Sequence, residues 1–303
     1  MSYTTLTTSK NPLGELQNFS EIARQLLPEP GDIPQLQGLD VWGGTLPLNG
    51  VLGGDHIIFV DFKQRYDLPK RIREAEAMDR PHVVEHLRRC QTTAGIAVLD
   101  VSGHHSTDAL MAAMFHQAFL VGALYELDTF GHITNQLFEN LNTRFYNSSA
   151  THKFVSLIYG EIAEDATFRF LSAAQPLPLV FSSAQDRFVE VDPGLRRSCP
   201  PIGIMPSLNV TDRHAGHPAL GFKDPYEVNE WVLIGSGDIL LLYSDGLAEH
   251  ASGSEPYFPH HLEQLLSDVK NQSAQEIFAA IRDDLLAFSP ASDDISVVVI
   301  KRL

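Results

Sequence analysis

The chain has 303 residues, 44% hydrophobic and 20% charged, the proportions of a soluble globular protein able to bury a sizeable core. Its formal net charge of −16 argues against a nucleic-acid binder, because phosphate backbones are held by clustered Lys and Arg. Cys90 and Cys199 are too few for a disulfide framework or a thiolate zinc site, and a reducing cytoplasm fits that usage. The first ten residues are polar, unlike a secretory signal, and no apolar run approaches the roughly 20 residues that span a bilayer, so no membrane association is expected.

Residues 1–33 divide from the rest as an amphipathic helix and a linker. Leu13, Leu16, Phe19, Ile22, Ala23, Leu26 and Leu27 recur at helical spacing, and the Pro/Gly-rich stretch from Pro28 ends the pattern. Such a stripe must be covered, either by its own domain or by a partner or second copy in a homodimer. From residue 34 to 303 strand signals dominate, at 38–45, 55–62, 94–101, 154–162, 167–173, 178–182, 187–191, 230–234, 238–244 and 294–302. Residues 63–93 are charged, helix-prone and divided by Pro81, which reads as a helical insertion next to whatever site the flanking strands carry. The stretch 106–126 is apolar nearly all round and should be a buried helix; 130–147, 258–269 and 273–288 are more amphipathic. Strands from 154 to 191 with no helix between them point to antiparallel hairpins, and an α+β architecture of two sheets covered by helices on both outer faces is expected.

Acidic residues recur where strands meet turns. Asp55 follows two glycines and starts a strand, Asp100 ends an apolar strand, Asp245 ends another before Gly246, and Asp293 and Asp294 open the last. An apolar strand fixes a carboxylate at the edge of the core, where an unpaired charge is costly. Several brought together repel one another and raise each other's pKa, and a divalent cation removes both penalties. Hard oxygen donors suit Mg²⁺ or Mn²⁺ rather than zinc. Taken singly, an Asp before Gly is an ordinary turn residue.

The order of these segments is more specific. Gly53-Gly54-Asp55, Asp100-Val101-Ser102-Gly103-His104, the run from Gly237 to Gly246, and Asp293-Asp294-Ile295-Ser296 resemble, in that order, the SpoIIE-type, RsbU-like branch of the PPM metal-dependent serine/threonine phosphatases. Residues 199–206 resemble that family's Pro-Leu-Gly loop. The resemblance implies an αββα sandwich and two Mn²⁺ or Mg²⁺ ions. It gives Asp100 as the bridge, Asp55 and the Val101 carbonyl on one ion, and Asp245 with Asp293 on the other. Asp294 fills the neighbouring slot as a secondary candidate ligand. Direct hydrolysis by an activated water is the implied chemistry. His104 is a candidate acid for the leaving oxygen, beside a plain turn or capping role for it and His105. The implied substrate is phosphoserine or phosphothreonine on a STAS-type anti-sigma-factor antagonist in a partner-switching pathway.

The chain also departs from the family pattern. Ile58 stands where a second acid is usual, with Asp61 at a different spacing; residues 173–178 lack the usual Gly and His; His105 replaces a Gly. These departures leave room for a non-catalytic pseudophosphatase that binds a phosphoprotein, and for a hydrolase of small phosphoesters.

Overall fold

The computed structural model describes residues 27–48, 53–103, 106–148, 153–208, 218–232 and 234–303. The helix expected over 13–27 lies, apart from Leu27, outside the described residues, as do His104 and His105.

In chain order the strands are β1 (Leu39–Leu46), β2 (His56–Asp61), β3 (Thr93–Val101), β4 (Val155–Ala163), β5 (Phe168–Ala173), β6 (Leu179–Ser182), β7 (Arg187–Phe188), β8 (Asn229–Trp231), β9 (Ile239–Tyr243), the hairpin β10 (Ala251–Ser252) and β11 (Glu255–Pro256), and β12 (Ile295–Arg302). Every strand expected from the sequence is present, and 187–191 and 230–234 are the most shortened. Two five-stranded antiparallel sheets form, β1-β12-β9-β6-β7 and β2-β3-β4-β5-β8. Alternation along each strand divides the core into layers. Ile57 and Phe59 of β2 meet Leu240, Leu242, Val298 and Ile300 between the sheets. Ile58 and Val60 point to the opposite face, as do Leu241, Val297 and Val299 on the other sheet.

Helices cover both outer faces. The β2 sheet carries α1 (Phe62–Arg65), α2 (Leu68–Ala77), α3 (Pro81–Arg89), α4 (Ser106–Phe130) and α5 (Asn135–Ser148). After β9 comes α6 (Asp245–Ala248), and α7 (His260–Val269) and α8 (Ala274–Phe288) cover the β12 sheet. Asp61 and Asp67 cap α1 and α2 by accepting from Gln64 N and Lys70 N, and Pro81 opens α3, where its missing N–H costs nothing.

Three expectations need correction. The helices of 63–93 are not beside the aspartates. β2 and β3 are antiparallel, with His56 opposite Leu99 and Asp61 opposite Ala94, so their connection leaves from the end remote from Asp55 and Asp100, about 20 Å away at ~3.3 Å per residue. Nor is α4 buried all round. Phe115, Phe119, Ala123 and Leu127 line the core, but Val121 and Tyr125 are 67% and 65% exposed, and Leu110 and Met114 share that outer face. By length and composition α4 would suffice to cross a membrane, contrary to the expectation that no segment would. In this fold its inner face is a wall of the core.

Candidate functional site

Four segments meet at one edge of the sandwich, two from each sheet, and their close approaches explain the glycines. A Cβ on Gly53 would lie 1.7 Å from Asp294 Oδ2, and one on Gly246 would lie 2.0 Å from the Asp294 carbonyl oxygen. A Cβ on Gly54 would sit 2.6 Å from Val101 O, 2.9 Å from Gly103 O and 3.0 Å from Asp100 Oδ1. Gly54 therefore keeps open a cradle of three oxygens. The structure brings the segments carrying Asp55, Asp100, Asp245 and Asp293–Asp294 together.

The carboxylates are not equivalent. Asp55 is buried and accepts 2.6 Å from Ser244 Oγ, which in turn accepts 2.9 Å from Ser296 N. Burial pushes the Asp55 carboxyl well above the ordinary carboxylate range. The neighbouring Asp100 charge raises it, the Ser244 and Ser296 hydrogen bonds oppose the shift, and Asp294 adds to it. Asp294 is also buried, but its oxygens accept from backbone: Oδ1 from Leu48 N at 2.6 Å and Oδ2 from Gly54 N at 2.8 Å. Asp293 is partly exposed and its Oδ1 accepts from Asp294 N at 2.7 Å. Asp245 opens α6 and, like Asp100, is partly exposed.

The donor chemistry, carboxylates and backbone carbonyls around Asp55 and the Gly54 cradle, fits a hard divalent cation. Among the described residues, however, no three Asp, Glu, His or Cys side chains already converge as a finished coordination sphere. Asp100 and Asp294 lie close enough to Asp55 to raise its pKa.

Several supporting residues escaped the sequence reading. Gln175 is buried and joins three strands: its Oε1 accepts from Ser156 Oγ at 2.6 Å, its Nε2 donates to Tyr243 O at 3.4 Å, and its backbone carbonyl accepts from Ser172 Oγ at 2.8 Å. Ser156 Oγ also lies 3.4 Å from the Asp100 carbonyl. Ala174 adopts φ +61°, where a glycine is usual. Lys153 pairs with buried Asp108 at 2.8 Å and donates to Ser102 O at 2.5 Å, fixing the turn after Asp100. A Cβ on Gly103, whose φ is +120°, would collide with both side chains. His56 Nε2 lies 2.6 Å from His116 Nδ1, satisfying the histidine within α4. Ile58 is buried in the helix-side core, and Asp61 is spent on Gln64 N and Gln35 N at the far end of β2, so it does not stand in for the missing acid. His260 and His261 are exposed, and His261 pairs with Asp284 at 3.0 Å.

Two antiparallel sheets between helical layers, with acidic strand ends gathered at one edge, define a PPM (PP2C-type) phosphatase fold. Solved structures agree. The RsbU and RsbW domains of Rv1364c from Mycobacterium tuberculosis superpose with a TM-score of 0.60 at 18% identity, covering 91% of this chain and 64% of that one. The PP2C domain and regulatory fragment of SpoIIE from Bacillus subtilis gives 0.59 at 17%, covering 87% and 63%. The SiaA PP2C domain of Pseudomonas aeruginosa gives 0.61 at 16%, covering 98% and 99%. The chain thus spans less than two thirds of the first two relatives. No curated protein matches the sequence. The profile of stage II sporulation protein E (SpoIIE) matches residues 91–303, and the chain belongs to that family, within the PPM phosphatases.

Proposed function

We propose that this chain is a divalent-metal-dependent protein serine/threonine phosphatase whose substrate is a phosphorylated STAS-type antagonist. The observation that carries the reading is Asp55: a buried carboxyl, its pKa driven up by burial and by Asp100, beside the oxygen cradle of Gly54. A cation there would relieve an electrostatic cost the apo site carries. In this reading Asp55, Asp100 and the Val101 carbonyl would hold one Mn²⁺ or Mg²⁺, and Asp100, Asp245 and Asp293 would hold the second. Asp294 fastens the loop through Leu48 and Gly54. When bound, the ions supply charge neutralisation and an activated water for attack on phosphorus. Ser244 orients Asp55, while Lys153 and Asp108 hold the Ser102–Gly103 turn. His104 is the proposed acid for the leaving oxygen. The partner-switching context rests on family membership and on the RsbU–RsbW neighbour.

The test is hydrolysis of p-nitrophenyl phosphate, then of a phosphorylated STAS protein, with Mn²⁺, with Mg²⁺ and with chelator. Activity that requires metal and disappears in Asp100→Asn and Asp245→Asn supports the reading; metal-dependent activity surviving both refutes the site. Ile58, buried in the helix-side core where the family has a second acid, and the altered loop at 173–178 favour a second reading, a phosphoprotein-binding pseudophosphatase. It predicts metal binding with no turnover.

A further inference from the structure

The far end of the β2 sheet holds a second polar site. A cavity of about 350 Å³ opens there between the sheet and the start of α5. Its floor is set by strand register: Gly95, Glu161 and Arg169 stand side by side on β3, β4 and β5, and Glu230 of β8 is next in the row. The missing side chain at Gly95 leaves room that the Tyr159 hydroxyl enters, since a Cβ there would lie 2.7 Å from Tyr159 Oη. Phe138, Tyr159 and Leu171 form the apolar walls, with the Phe138 and Tyr159 rings 5.2 Å apart.

The charges in this row are incompletely matched. Directly opposed residues on neighbouring strands are the natural partners. Yet Arg169 turns from Glu161 to Glu230, with Nε 3.2 Å from Glu230 Oε2 and too poorly aligned to hydrogen-bond. Glu161 makes no ion pair among the described residues and accepts one hydrogen bond, 2.9 Å from Tyr159 Oη. Burial raises the Glu161 pKa, and the Tyr159 hydrogen bond and the charges of Arg169, His132 and Arg89 oppose the shift. Glu161 is partly exposed at the cavity, so its carboxylate is open to a ligand that brings hydrogen-bond donors. The cavity lies at the end of β4 remote from Asp100, so the metal chemistry does not use it.

We propose that this cavity binds a small organic ammonium ion, with its –NH₃⁺ on the Glu161 carboxylate and its body along the cavity lining beside Val228. An ammonium supplies hydrogen-bond donors to the Glu161 carboxylate, which accepts only one such bond among the described residues, and a charge-assisted bond is the strong kind. The volume suits a compact ligand. The ammonium could belong to a simple amine or to a free amino acid, whose carboxylate would then reach Arg169.

The test is a thermal-shift and calorimetric titration of the full chain in chelator, which makes it independent of the phosphatase reading. The probes are butylamine, phenethylamine, leucine and leucinamide, with the matching alcohols as neutral isosteres. Saturable binding by ammonium compounds, with the alcohols inert, is expected. Glu161→Gln keeps the shape and should weaken it about tenfold or more, the loss of one charged hydrogen bond. Arg169→Gln should weaken leucine and leave butylamine unchanged if the amino acid is the source; equal effects on neither or both assign the simple amine. Alcohols binding as well as amines, no saturable binding by any ammonium probe, or unchanged affinity in a folded Glu161→Gln protein would each overturn the proposal.

Discussion

Asp293 and Asp294 are adjacent, yet their surroundings predict opposite mutant phenotypes. Asp294→Ala removes the acceptor for two backbone donors, Leu48 N at 2.6 Å and Gly54 N at 2.8 Å, in a buried position. Hydrogen bonds to a charged acceptor contribute about 1.5–3 kcal/mol each, so the pair is worth about 3–6 kcal/mol. Relief of the repulsion with Asp55 returns part of that, leaving a loss on the order of 3 kcal/mol. For a domain of this size that lowers Tm by about 6–12 °C. Asp293→Ala loses one partly exposed bond, to Asp294 N, for about 1 kcal/mol and a few degrees. The assay is thermal unfolding in chelator, followed by Mn²⁺ titration of the folded variants. Asp293→Ala should lose metal binding while keeping its fold. Asp294→Ala should unfold early, and in the fraction that stays folded should retain a binding isotherm. If Asp294→Ala melts no lower than Asp293→Ala, the clamp assignment is refuted; if Asp294 alone abolishes Mn²⁺ binding, the two roles are reversed.

Ala174→Gly should stabilise the protein by about 0.5–1 kcal/mol, because Ala174 sits at φ +61°, where a Cβ costs about 1–2 kcal/mol against a smaller entropic loss for glycine. A chemical-denaturation midpoint that does not rise contradicts this. Gly54→Ala places a methyl 2.6 Å from Val101 O and 3.0 Å from Asp100 Oδ1, so Mn²⁺ affinity should fall at least tenfold, a cost of about 1.4 kcal/mol; unchanged calorimetric affinity would dismiss the cradle. Burial lowers His56 to about 3 and His116 to about 4, each reinforced by a neighbouring positive charge: His116 for His56, and Arg65 for His116. The unfolded chain therefore binds more protons below pH 6.5, and stability present above that value is lost as the pH falls toward 4, at up to about 1.4 kcal/mol per pH unit per histidine. His116 is part-exposed and should contribute less. His116→Gln should flatten the acid limb of a stability–pH curve, and an unchanged limb contradicts the assignment.

The strands were legible because each is a short apolar run bounded by Gly, Pro or Asp, and both faces of the central strands are buried. The aspartates were legible from their strand-end positions. The pairing of Asp293 and Asp294 with particular partners was not, because Leu48 and Gly54 lie more than two hundred residues away in sequence. Gln175 was hidden for the same reason: a loop amide shows nothing of the three strands it will join. The outer face of α4 misled, since an all-apolar composition carries no information on which side is covered. The position of 63–93 could have been read correctly. Asp55 begins one strand and Asp100 ends the next, and an antiparallel pair with these aspartates at one end must place its connection at the other.

That same geometry says what a cation would do to the fold. Asp55 and Asp100 belong to one sheet and Asp245 and Asp293 to the other, so the proposed ligand set exists only when the two sheets are stacked. In the apo protein the sheets meet at this edge through side chains: Ser244 of one sheet donates to Asp55 of the other, and Gln175 reaches Tyr243. Opposing them, burial first, and then the charges of Asp100 and Asp294, disfavour the Asp55 carboxylate. A divalent ion at the seam would turn that repulsion into attraction and bind the stacked state alone. By mass action it stabilises the fold by RT ln(1 + [M]/Kd), about 2.7 kcal/mol at a hundredfold excess over Kd. Saturating Mn²⁺ should therefore raise Tm by about 5–10 °C, and by much less in Asp100→Asn, which removes the proposed bridge. An equal rise in both proteins would mean that the ion binds elsewhere, and that the acidic edge is a strained surface rather than a metal centre.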